Sequence, residues 1–313
     1  MFKNHPLANI KRMYDIHAKR GYMVYQELVR KYGPLHMFVQ YYGGSGDVYL
    51  SAAYIQWAQE AIFCVRGRSA ENLSQVLVAG VAAIERFDGN ELLEMCRLFL
   101  FLGGKTMRIS ILHYLSHYPV YTSILLDLVG LNGTTFFDLY EYTVFGNQKI
   151  MPPRIAEIPG AEKLFADLRL KPNRTVLLAP YSESIPKEMG MDIWALLAAR
   201  LKERGYSVCT NIVPNKEAAV PGTEGVFIPY GMLAPFLRLA GFFVSYRSGL
   251  CDIVAAVHGC KKIVVYPKAS WIDRTLRTPT MTVFSLKDFA FNLVELEAAG
   301  KHTVYSILEA LEQ

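Results

Sequence analysis

No Asp-x-Asp triplet occurs anywhere in these 313 residues, and no acidic cluster precedes a strand end. A bound Mg2+ or Mn2+ is therefore not required by the sequence. Cysteine is sparse, at positions 64, 96, 209, 251 and 260, with no CxxC pair and no metal-ligand spacing. Reduced thiols in a cytoplasmic protein are the simple expectation. No apolar run approaches the roughly 18 residues needed to span a bilayer. The N-terminus, MFKNHPLANIKRMYD, lacks a continuous apolar h-region, so no signal peptide is expected. Charge is also thin, at 19% against 52% hydrophobic residues. That balance excludes a disordered chain and describes a soluble globular protein with a large core.

The charge present is unevenly spread. The net +5 resides in residues 1–34, where Lys3, Lys11, Arg12, Lys19, Arg20, Arg30 and Lys31 face only Asp15 and Glu27. Residues 9–32 have the apolar spacing of an amphipathic helix (Ile10, Met13, Ile16, Met23, Leu28), with Gly21 as the expected break and Gly33-Pro34 as the stop. Such an arm is either a solvated helical face or a contact for an anionic membrane surface. Nucleic acid is not expected as a partner.

Leu35 to Tyr42 reads as a buried strand, followed by Gly43-Gly44-Ser45-Gly46-Asp47 and a helix from Val48 to about Gln59. Strand- and helix-like segments then alternate through Arg108–Leu112, with a further helix expected over Ser123–Leu128, which argues for a parallel sheet. Proline and glycine accumulate over 146–174 and mark a linker. A second α/β unit starts with strand Thr175–Ala179, a polar loop to Met191 and helix Asp192–Arg204. Later come helix Met232–Leu239 and the stretch FFVSYRSGLCDIVAAVHGCKKIVVYP, which reads strand, turn, helix, strand. Strand Thr282–Phe284 and helices Leu286–Ala299 and Thr303–Leu311 are expected to close the chain.

Three loops fall at carboxyl ends of parallel strands, where ligands bind in such sheets. The first, 43–47, places Asp47 at the head of a helix, either as a cap or as a general base. The second carries Ser182, Glu183, Ser184 and Lys187. The third is Arg247-Ser248-Gly249-Leu250, a glycine turn whose free N–H groups suit an anion, with the Arg247 guanidinium beside it. His113 and His117 lie four apart, but no Glu sits between them and no third ligand is evident, so no metal site is assigned.

These features together resemble the GT-B glycosyltransferases, particularly the heptosyltransferase-like group acting on bacterial lipopolysaccharide cores. Gly46-Asp47-Val48 matches that group's GDV turn. Thr175–Ala179, Lys187 and Trp194 match the opening of its second domain, and residues 242–267 match its nucleotide-diphosphate motif in spacing. Two positions depart: the motif's usual acid is Arg247 here and its usual His is Asp252.

The resemblance implies two Rossmann-like α/β domains facing across a cleft, with an N-terminal helical extension. The expected divisions are 1–34 for the basic extension, 35–150 for an acceptor domain, 151–174 for a linker and 175–313 for the nucleotide-sugar domain. It further implies an inverting, metal-independent transferase without a cofactor, taking a nucleotide-diphosphate sugar and a glycan or glycolipid hydroxyl at the inner face of the membrane. Asp47 would be the base, beside Gly44, Ser45 and Gly46. The donor would lie on Ser182, Glu183, Lys187, Arg247, Ser248, Gly249, Leu250 and Asp252. A nucleotide-sugar epimerase, or a glycosyltransferase-like subunit without catalysis, are the other readings of the same pattern.

Overall fold

The computed structural model describes residues 11, 15, 18–78, 80–102, 107–112, 133, 135–146, 148–182, 185, 188–268 and 279–313. They form two compact units. The first holds the chain through residue 112 together with Tyr140–Pro153, and the second holds residues 135–139 and everything from 154 onward. The expected helix over Ser123–Leu128 lies outside the described residues, as does most of the arm before Ala18.

In the first unit α1 (Lys19–Tyr32) leads into β1 (His36–Gln40), α2 (Ser45–Ile55), β2 (Ala61–Arg66), α3 (Gly67–Leu77), β3 (Ala83–Phe87), α4 (Glu91–Leu102) and β4 (Ile109–Ile111). The sheet order is β3-β2-β1-β4, parallel throughout. Order therefore reverses between β1 and β4, since β2 lies on one side of β1 and the later β4 on the other. Met37, Val39, Ile62 and Ile109 bury one sheet face against Val24 and Leu28 of α1 and Leu92, Met95 and Leu98 of α4. The basic helix is thus part of this core.

Gly21 does not break α1. It sits in the first turn, where an added Cβ would lie 2.2 Å from the Glu94 carbonyl oxygen. The two helices approach so closely that only hydrogen fits between them. Beside that contact Arg20 meets Glu91 at 3.5 Å, and at the far end of α1 Lys31 pairs with Glu85 of β3.

A helix α5 (Phe136–Thr143) ends before residues 151–174, the segment expected as a linker, and α6 (Ala161–Asp167) lies within it. The second unit then runs β5 (Thr175–Ala179), α7 (Met191–Glu203), β6 (Ser207–Asn211), β7 (Glu224–Val226), α8 (Tyr230–Ala240), β8 (Gly241–Tyr246), α9 (Gly249–Ala255), β9 (Lys261–Tyr266), α10 (Thr280–Phe284), β10 (Leu293–Glu297) and α11 (His302–Glu312). Its sheet order is β10-β9-β8-β5-β6-β7, again all parallel, so the reversal lies between β5 and β8. This is the doubly wound order of dinucleotide-binding sheets. Trp194, Leu197 and Leu201 of α7, with Ile307, Leu308 and Leu311 of α11, cover Val176, Leu178, Val244, Ile263 and Val265.

Two local conflicts are resolved by partners from elsewhere. Pro235 inside α8 cannot donate to the Gly231 carbonyl, which instead accepts the Ile158 N–H at 3.1 Å. The segment before α6 is thereby tied to the helix that a proline would otherwise weaken. Lys262, 1% exposed, donates to the carbonyls of Val257 (2.5 Å), Cys260 (3.2 Å) and Phe291 (2.6 Å), so all three ammonium hydrogens are used. Burial pushes its pKa below the ordinary lysine range.

Two expected elements differ at the carboxyl end of the chain. Residues 282–284 lie in α10 rather than in a strand, and 293–297 form β10 inside the segment expected to be helical. The apolar spacing of Leu286, Phe289, Leu293 and Leu296 imitates a helix. Pairing with β9 overrides it, helped by Glu295, whose carboxylate accepts from Tyr266 (2.5 Å), Ser285 (2.6 Å) and the Leu286 N–H (2.8 Å).

Gly21→Ala should lower stability although alanine is the better helix former by about 1 kcal/mol. Overpacking of this kind costs about 1–3 kcal/mol, so the thermal midpoint should fall by several degrees. An unchanged or raised midpoint in a melting experiment would refute the close approach of α1 and α4.

Candidate functional site

In each sheet the loops at the point of reversal carry the residues singled out from the sequence. In the first unit β1 ends at Gln40 and the chain turns through Tyr41–Gly44 into α2. Gly44, the helix N-cap, is extended (φ −66, ψ 135), and a Cβ there would lie 2.9 Å from Asp47 Oδ2. A Cβ on Gly43 would come to 3.0 Å from the Arg66 carbonyl. The glycines let the chain pass closely over β2 and let the carboxylate fold back over the helix start. Asp47 is the third residue of α2, where a carboxylate favours the positive end of the helix. Its side chain is half-buried, and Oδ1 accepts a hydrogen bond from the Tyr140 hydroxyl at 3.0 Å. Tyr140 is fully buried. Ser45 is half-buried beside Asp47, and Gly46 is buried beneath it.

The turn rests on a buried polar cluster. Gln40, with no exposed surface, donates to the Leu112 carbonyl (2.6 Å) and to Ser51 Oγ (2.8 Å), and its Oε1 accepts the Tyr42 N–H (3.1 Å). Ser51 Oγ in turn lies 2.9 Å from the Asp47 carbonyl and 3.0 Å from that of Leu112. The cluster joins the ends of β1 and β4, the two strands that flank the reversal, to the first turn of α2.

In the second unit the loop after β5 places Ser182, 9% exposed, with its Oγ accepting the Ile185 N–H at 3.3 Å. Glu183 and Lys187 lie outside the described residues. Glu188 fastens the loop: its N–H donates to Tyr246 Oη (3.1 Å), and its Oε2 accepts from the Lys268 N–H (2.8 Å). The loops after β5, β8 and β9 thus converge. Burial pushes the Tyr246 phenol up to about 12, so it remains a neutral partner.

After β8, Ser248, Gly249 and Leu250 are partly exposed, while Arg247 and Asp252 are each 3% exposed. These two side chains pair with each other, Nη2 to Oδ1 at 2.7 Å. Arg247 also donates from Nη1 to the Ser248 carbonyl (2.6 Å) and from Nε to the Phe284 carbonyl (3.1 Å). The guanidinium therefore lies beneath the turn, holding it to α9 and to the end of α10, rather than beside it as expected. Burial works most strongly against its charge, but Asp252, Tyr266 and Cys251 together outweigh it and lift the Arg247 pKa above the ordinary range. Burial likewise pushes the Asp252 carboxyl up, against the pull of Arg247. Because a guanidinium does not give up its proton, its charge favours the anionic form of the carboxyl beside it.

The two departures from the resembled motif are thereby one exchange. The base at 247 and the acid at 252 meet in one oppositely charged pair. Sequence reading named Asp47, Ser182, Arg247 and Asp252, but it missed the Arg247–Asp252 contact and the roles of Gln40 and Tyr140. Gln40 carried a signal, as an amide ending an apolar strand just before a glycine turn. Tyr140 carried none within an aromatic-rich segment. Among the described residues no group of three or more His, Cys, Asp or Glu is placed to hold a metal, and His113 and His117 lie outside them.

No family model matches this sequence, and no curated protein does. Solved structures do share its fold. A glycosyl transferase family 9 protein from Veillonella parvula is 14% identical, with 89% of each chain covered and a TM-score of 0.50. The E. coli ADP-heptose lps heptosyltransferase II is 13% identical, covering 88% of this chain and 96% of its own, with a TM-score of 0.51. The two parallel α/β units, of four and six strands, are the fold expected from the GT-B resemblance.

Removing either charge of the buried pair, by Arg247→Met or Asp252→Asn, should destabilise the protein by about 3–5 kcal/mol. The double exchange Arg247→Asp with Asp252→His, which restores the motif's usual order, should cost less than the summed single exchanges at the same positions. Urea midpoints across that cycle measure the coupling, and strict additivity would contradict the pairing.

Proposed function

We propose that this chain is an inverting, metal-independent glycosyltransferase that moves a sugar from a nucleotide-diphosphate sugar to a hydroxyl of a bacterial surface glycan or glycolipid. One observation carries the reading. On a fold shared with glycosyltransferases, the strand reversal of each sheet coincides with one half of the required chemistry. In the first unit that half is a glycine turn presenting the Asp47 carboxylate. In the second it is a set of converging loops with polar groups and a partly exposed backbone turn.

The second unit receives the donor. The diphosphate faces the N–H groups of Ser248, Gly249 and Leu250, with Ser182, Glu183 and Lys187 on the loop after β5. Arg247 and Asp252 act from below, fixing the turn that meets the ligand. Asp47 takes the proton of the acceptor hydroxyl as its oxygen bonds to the anomeric carbon and the bond from that carbon to the phosphate oxygen breaks. The nucleoside diphosphate departs with the electron pair, and Lys187 and the turn amides meet its charge. Attack from the face opposite the leaving group inverts the anomeric centre. The sequence contains no Asp-x-Asp, so this scheme asks nothing of a divalent ion.

The exposed basic residues of α1, Lys19 and Arg30 among them, support a peripheral contact with an anionic membrane near the acceptor. Among the described residues no helix is long and apolar enough to cross a membrane.

A nucleoside diphosphate at about 100 times its Kd should stabilise the fold by about 2.7 kcal/mol. The shift in melting temperature should persist in EDTA and in Asp47→Asn. The same variant should lose about 10²–10⁴-fold in turnover. No shift with any nucleoside diphosphate, or a shift abolished by EDTA, would overturn the donor assignment. Turnover of Asp47→Asn within about twofold of the parent would remove Asp47 as the base.

A further inference from the structure

We infer that Tyr140 and Gln40 are positioning residues that aim the Asp47 carboxylate, Tyr140 through its hydroxyl on Oδ1 and Gln40 through the first turn of α2. The inference deepens the reading of Asp47 as the base and rests on it for its catalytic consequence.

An aspartate at the third position of a helix has two stable uses for its carboxylate. It can fold back onto the free N–H groups of its own first turn, or it can point away from the helix. Here the two oxygens divide the task. Oδ2 lies over Gly44, close enough that a Cβ there would touch it, while Oδ1 is met by the Tyr140 hydroxyl at 3.0 Å. Tyr140 is 93 residues away in the chain and reaches Asp47 from α5. A fully buried tyrosine needs a partner for its hydroxyl, and this one spends the bond on the carboxylate. The phenol therefore selects one rotamer and holds one lone-pair direction of Oδ1.

The turn beneath is fixed just as firmly. A fully buried glutamine is costly unless its amide is satisfied. Gln40 meets that requirement by bonding across the reversal: to Leu112 beyond β4, to Ser51 one turn below Asp47, and to the Tyr42 N–H where the chain leaves β1. Ser51 passes the restraint to the Asp47 carbonyl. The backbone of Asp47 is thus referred to both central strands, and its side chain to α5. Loss of the Tyr140 bond takes one restraint from the direction of Oδ1, and loss of the Gln40 bonds loosens the backbone turn that carries it, while Oδ2 stays over the helix start.

Tyr140→Phe removes one oxygen, and Gln40→Met keeps side-chain length without the amide. With any donor and acceptor pair that turns over, each should lower kcat by about 10–100-fold while the KM for the donor stays near the parent value. In an Asp47→Asn background the same Tyr140→Phe exchange should cost almost nothing further. An equal loss in both backgrounds would mark a merely structural role and overturn the inference.

A second measurement does not depend on turnover. Carbodiimide coupling at Asp47, followed by mass spectrometry, should run several-fold faster in Tyr140→Phe, with coupling at Asp138 and Glu141 of α5 unchanged. An unaltered rate at Asp47 would sink the clamp whatever the activity shows. Should Asp47→Asn turn over like the parent, the base assignment fails separately, and the coupling rate alone decides whether Tyr140 holds the carboxylate.

Discussion

Where a parallel sheet reverses its strand order, backbone carbonyls at the carboxyl ends of the diverging strands lose their next ladder partner, and a buried carbonyl left unpaired is costly. Both units meet that constraint with buried side-chain donors: Gln40 and Ser51 in the first, and in the second Ser245, whose Oγ donates to the Ala179 carbonyl at 3.1 Å across β5 and β8 while Arg247 fastens the turn that follows. Gln40 ends β1 and donates to Leu112 beyond β4. Arg247 follows β8 and donates to the carbonyls of Ser248 and Phe284. Each donor then restrains the loop that leaves its strand. At each reversal the chains diverge, and these buried bonds keep the turns there from fraying.

The two solutions differ in cost. An amide is neutral, so the Gln40 cluster needs only geometry. A buried guanidinium needs an anion as well, and Asp252 supplies it at 2.7 Å. That requirement explains why the positions that depart from the resembled motif depart together. A base at 247 without an acid within reach would strand a charge in the core.

Much of the architecture was legible because parallel strands buried on both faces read as continuous apolar runs. Thr175–Ala179 and the runs within residues 242–246 and 261–266 appear where the sequence placed them. Misreadings arose where tertiary partners override local spacing. Glu295 makes a polar position tolerable inside β10 by collecting three donors, and the close packing of α4 turns Gly21 from an expected break into a contact. The candidate site divides in the same way. Asp47 could be read from Gly46-Asp47-Val48, because the glycines and the acid are adjacent. Tyr140 could not, because only the fold brings it to Oδ1, and the Arg247–Asp252 contact was hidden because each residue looked suited to a ligand by itself.

The account turns on the reversal between β5 and β8 being where a nucleoside diphosphate binds. Amide hydrogen exchange on the full chain, with and without saturating ADP or UDP, reads that location directly. The account predicts slowed exchange in 180–190 and 247–252, with the amides of 41–47 unchanged. Protection confined to the first unit, or none in the second at a nucleotide concentration that shifts the melting temperature, would contradict it.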